Sequence, residues 1–184
     1  MFRVHSPRLT VRTALKAFTR HDRGIAATEF ALVLPFLLLL LMGVIEFSNV
    51  MTVERKLLNA MQSAADLIGT KVDVTDADLT EIFTAAQLTM SPFSTTPMTI
   101  GIASVRFDDT TGAATLDWSS GWNGGSVVNP TTLAVGHGEA GASIIIVSGV
   151  YTYTPMIELI IPSTMSLEEV SYMRPRKVDY IIKN

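Results

Sequence analysis

Few residues in this 184-residue chain are of the kinds that do chemistry, and their spacing limits what they can do. Past residue 23 there is one histidine, His137, which stands with Glu139 in the glycine-rich segment GHGEAG. A lone His–Glu pair is two ligands short of a closed zinc site, and a solvated loop accounts for it far better. No HExxH, no phosphate-binding glycine loop and no second histidine is there to complete a centre. Asp73, Asp76, Asp78 and Glu81 resemble a calcium loop only loosely. They lack its turn glycine and its twelfth-position Glu, and acids in the first turn of a helix explain them better. With no cysteine, there is no disulfide framework and no thiolate metal site. No cofactor is expected and no nucleophile–base constellation stands out. What remains is Glu29, an acid inside an otherwise apolar run, and Glu46, a second acid at the far end of that run. A carboxylate in a membrane span costs up to ~3 kcal/mol at its centre and less near an interface, so such residues are functional candidates. Glu46 is at a position where an interfacial acid is ordinary.

The run that holds Glu29 is Gly24–Phe47, GIAATEFALVLPFLLLLLMGVIEF. At 1.5 Å per residue a helix over residues 25–47 rises roughly 35 Å, enough to cross a ~30 Å hydrocarbon core. Ahead of it residues 1–24 carry six Lys/Arg (Arg3, Arg8, Arg12, Lys16, Arg20, Arg23) against Asp22, while the remainder of the chain is acidic, net -8. A basic arm before an apolar run fixes orientation by the positive-inside rule, with the N-terminus cytoplasmic and everything after Phe47 across the membrane. The acidic remainder argues against nucleic-acid binding. The run ends in bulky residues, so a secretory cut after it is not expected. Pro35 removes a backbone donor inside the span and predicts a kink. Gly43 leaves room for another helix.

Beyond the span, Val50, Val53, Leu57, Ala60, Met61, Ala64, Leu67 and Ile68 recur at three- and four-residue steps, one apolar face of an amphipathic helix. Ile25–Gly69 thus reads as a single helix with Gly69 as its C′ residue. A second helix is expected within Val72–Met90, capped by Thr75 or Asp76, with Leu79, Ile82, Phe83, Ala86 and Gln87 on its buried face. The period then changes to two. Met98–Phe107 and Ala113–Ser119 read as a hairpin and Gly121–Gly141 as a long loop. Ala142–Tyr153, apolar on both faces in its first half, reads as a central strand. Met156–Ile161 is a short helix or an apolar loop, and Ser166–Met173 and Lys177–Ile182 are candidate strands. Trp118 and Trp122 mark either a contact surface or the core. The fold class is α+β: a long N-terminal helix, a second helix, and a small antiparallel sheet of about four strands.

The pattern RGIAATEFALVLPFLLLLLMGVIEF, followed by an amphipathic helix, resembles the TadE-like minor pilins, or pseudopilins, of tight-adherence (Flp-type, type IVc) pili. Looser similarity runs on through SVRFDDTTGAATLDWSS, IIIVSGVYTYTP and YMRPR. The resemblance implies a pilin-like architecture: a basic cytoplasmic leader over 1–24, a transmembrane helix over 25–47, its amphipathic continuation over 48–69, and an extracytoplasmic head over 70–184. It implies a prepilin peptidase that cuts between Gly24 and Ile25 and frees the amine of Ile25. It implies that Glu29, then the fifth residue of the mature chain, pairs with a neighbouring subunit's N-terminal amine, with the aromatic Phe30 beside it. The partners would be other pilin subunits, the pilus assembly machinery, the peptidase and the bacterial inner membrane, with passage into an extracellular pilus as a further step. The protein would then be no enzyme.

Two other readings use the same residues differently. One is a signal-anchored periplasmic enzyme or metal-binding domain centred on His137 and Glu139. The other is a generic single-span scaffold whose head works on any anchor.

Overall fold

The computed structural model describes residues 22–161 and 163–184, so most of the expected basic leader lies outside them. The chain divides into two units, Met1–Val44 and Ile45–Asn184. The described elements are α1 (Asp22–Gly69), β1 (Asp73–Val74), α2 (Asp76–Thr89), β2 (Met98–Phe107), β3 (Ala114–Trp122), α3 (Pro130–Ala134), β4 (Ser143–Tyr153), β5 (Met165–Met173) and β6 (Ile182–Lys183). The fold is α+β, as the sequence predicts.

In the first unit, α1 is apolar on every side and its side chains are exposed from Gly24 onward, save half-buried Gly43. Phe30, Leu32, Phe36 and Leu40 are among the most open large apolar residues there. Among the described residues it is the one helix long and apolar enough to cross a membrane.

The second unit is built on a four-stranded antiparallel sheet in the order β3-β2-β4-β5. β4 lies between β2 and β5, the central position its two-faced apolar pattern predicts. Ile145, Val147, Tyr151 and Tyr153 share one large core with Met98, Ile100 and Ile102 of β2 and with the buried faces of α1 and α2. On the opposite face, Ile144 and Ile146 pack with Val105, Phe107 and Ala134 of α3. The alternation of strand side chains makes this division.

The helical faces follow the sequence closely. Val50, Val53, Leu57, Ala60, Met61, Ala64 and Ile68 are buried. Leu67, expected among them, is 40% exposed, and Ala65 is buried in its place. Burying a side chain such as Leu57 contributes about 1.5–3 kcal/mol. The close approach of α1 to β4 depends on Gly149, where an added Cβ would lie 2.5 Å from Met61 Sδ and 3.0 Å from Leu57 Cδ1. Gly69 is the last residue of α1 rather than a left-handed C′ residue, and space explains it: a Cβ there would meet Met173 Cγ at 2.6 Å. In α2, Leu79, Ile82, Phe83 and Ala86 are buried and Gln87 is half-buried. Thr75 is its N-cap, completing a capping box with Asp78.

Three further expectations need correction. β3 runs to Trp122, past Ser119, because Gly121 pairs with Gly101 as part of the ladder instead of opening the loop. That loop contains the single-turn α3, begun by Pro130. The candidate strand Lys177–Ile182 reduces to Ile182–Lys183, which pairs in parallel with Asp73–Val74. Its neighbours are held without a ladder: Ile181 is buried, and its carbonyl accepts from Trp118 Nε1–H at 2.7 Å. Trp118 and Trp122 are therefore core-associated residues.

Candidate functional site

Gly24, Ile25, Glu29, Phe30 and Pro35 lie in α1 within the first unit, all exposed. Among the described residues nothing stands within 4 Å of a Cβ built on Gly24. Thr28 Oγ1–H donates to the Ile25 carbonyl at 2.7 Å. Ile25 and Glu29 are four residues apart on a helix and therefore share a face, one turn apart. Phe30 is 59% exposed. Pro35 is inside the helix and cannot donate to the Ala31 carbonyl. The arrangement displays one carboxylate on an apolar, unpartnered helical surface, suited to accept a cation or a proton donor brought by another molecule.

The second acid behaves differently. Glu46 belongs to the second unit and is fully buried. Its Oε1 accepts the Tyr153 hydroxyl at 2.7 Å and the Met156 backbone N–H at 3.1 Å. Its Oε2 is buried without a partner among the described residues. Burial, then the hydrogen bond from Tyr153 to Glu46 and the negative charge of Glu46, push the Tyr153 phenol up to about 12. Next to this pair is a cleft of ≈ 250 Å³ lined by Asn49, Phe93, Pro97, Tyr151, Tyr153 and Met156, among others. Sequence reasoning passed over Glu46 as an interfacial acid. The signal that marks it is its phase: it precedes Val50, Val53 and Leu57 by four, seven and eleven residues and so continues the buried stripe.

His137 and Glu139 have partners of their own. The His137 ring stacks on Tyr172 with centroids 4.4 Å apart. Arg174 donates to the His137 carbonyl at 3.1–3.2 Å and to Glu139 at 3.4 Å. Three of the four acids near α2 are likewise used locally: Asp78 pairs with Lys71 at 2.6 Å, Asp76 with Lys183 at 2.9 Å, and Asp73 accepts from Asn184 at 2.7 Å.

Residues 24–66 match the family model described as TadE-like protein. This stretch is similar to that family. The TadE-like region opens on Gly24, contains Glu29, Phe30, Pro35 and Glu46, and ends at Asp66 inside α1. It covers the helix and leaves the sheet outside. The apolar helix is compatible with single-pass membrane anchoring. No curated protein and no solved structure matches the chain.

Proposed function

We propose that this protein is a minor pilin, or pseudopilin, of the Tad type IVc pilus. A prepilin peptidase cuts it between Gly24 and Ile25 at the cytoplasmic face, and it acts in assembly by initiating or capping the filament. The observation that carries this reading is the family match, whose first residue is Gly24, the proposed cut site. In this reading residues 25–47 span the inner membrane, 48–69 continue the helix, and 70–184 form a periplasmic head. Glu29 accepts the freed amine of a neighbouring subunit's Ile25, which offsets the burial of its carboxylate, and Phe30 packs beside that contact. Pro35 bends the helix.

The observed surface of α1 fits this use. A helix apolar on all sides needs lipid or other helices around it, and a lone exposed carboxylate on it needs a cation in the assembled state. The test is Glu29→Gln and Glu29→Ala in cells with a working Tad system. Both variants are expected to insert normally and to lose pili; pili at the wild-type level would refute the role of Glu29.

A further inference from the structure

We propose that the turn Met156–Ile161, between β4 and β5, is a second membrane contact that rests in the interfacial layer of the bilayer entered by α1; this builds on the membrane-anchor reading. The segment reads MIELII, with Glu158 its one charged residue. Met156 is 82% exposed and Leu159 76% exposed, the two most open large apolar side chains among the described residues. The turn is nonetheless anchored at both ends. The Ile160 and Ile161 N–H groups donate to the Ile157 carbonyl at 3.0 and 3.4 Å. Ile161 packs against the main core. At the other end the Met156 N–H is bonded to Glu46, and the Asn49 side-chain amide reaches Met156 Sδ at 3.8 Å.

Those last contacts set the depth. Glu46 follows directly on the uncharged apolar run Ala31–Ile45. A helix rises 1.5 Å per residue, so Glu46 and Asn49 lie within about a turn of where the hydrocarbon ends. Whatever holds Met156 to Glu46 also holds it at the level of the headgroups. An exposed apolar turn fixed at that depth is the composition expected of an interfacial anchor. A protein partner fits less well. A stable protein interface needs roughly 800 Å² on each side, far more than one turn presents, whereas lipid demands no shape match.

The chain has no cysteine, so single-cysteine labelling needs no background substitutions. The full chain is reconstituted in vesicles of phosphatidylethanolamine and phosphatidylglycerol with an environment-sensitive fluorophore on Leu159→Cys, Val135→Cys or Leu40→Cys. Val135 is 70% exposed and directly follows α3, which packs at the Ile144 end of β4, away from Tyr153. A shallow doxyl lipid is expected to quench the Leu159 label at least about twofold more than the Val135 label, with matching loss of iodide quenching. Equal behaviour of the two labels overturns the proposal. Shielding from iodide without doxyl quenching also overturns it, since protein then covers the turn. A Leu40 label that deep doxyl lipids fail to quench overturns the anchor reading and this inference with it. Quenching at Leu40 alone refutes only the turn.

Discussion

Tyr153, near the end of the central strand, donates its phenolic hydrogen to Glu46, a buried acid of the long helix, across 2.7 Å. The two are 107 residues apart, and the bond fastens β4 to α1. Tyr153→Phe removes that donor and leaves the carboxylate with the Met156 N–H alone. Losing a hydrogen bond to a buried charged group costs about 1.5–3 kcal/mol. Chemical denaturation of the full chain in detergent should show a loss in that range, and no change would mean that Glu46 is satisfied elsewhere.

The same pair sets an alkaline limit. The folded-state phenol, at about 12, lies above its ordinary value of 10.0, so folding favours the protonated form. Its contribution is complete below pH ~10 and disappears as pH rises through about 12. Tyr151, also raised by burial, adds in the same direction. Wild-type stability should therefore fall over this window, by up to about 3 kcal/mol from Tyr153 alone. Tyr153→Phe should flatten the fall, which denaturation at a series of alkaline pH values would measure.

At the acid end the opposite sign applies. The Lys71 side chain, then the Thr75 hydroxyl and backbone N–H, hold the Asp78 carboxyl well below the usual carboxylate range. The stabilisation is present at neutral pH and is lost as pH falls below the ordinary value near 4. Asp78→Asn should lower the melting temperature at pH 7, and the gap to wild type should narrow as the pH is lowered. Thr75→Ala, which removes the N-cap, should cost about 1 kcal/mol at neutral pH.

Gly149→Ala tests the packing of helix on sheet. The added methyl would crowd Met61 and Leu57, both fully buried. Overpacking of this kind costs about 1–3 kcal/mol. The double variant with Met61→Ala should be less destabilised than the sum of the two single changes, because the sulfur that the new methyl meets is gone.

The helices were legible in the sequence because their signals are local. The three- and four-residue steps of Val50 to Ile68, the cap at Thr75 and the acids that follow depend on near neighbours only. Strands β2 and β4 were legible from alternation and from two-faced apolarity. What escaped depends on distant partners. Leu67 and Ala65 are equally compatible with the stripe, and the packing beneath the helix buries Ala65 and leaves Leu67 exposed. The Lys177–Ile182 segment has strand-forming residues, yet Ile181 is held by the indole of Trp118 rather than by a neighbouring strand. Glu46 looked like an interfacial acid because its partner lies 107 residues away in β4. At the N-terminal end of α1, Gly24, Glu29 and Pro35 fall within the stretch that matches the TadE-like model.

Cutting at Gly24 is the claim on which the functional account rests. Its most direct measurement is N-terminal sequencing, with intact mass, of the membrane form recovered from cells that assemble Tad pili. The account predicts a chain that begins at Ile25. A chain that still begins at Met1 or Phe2 in piliated cells would contradict it.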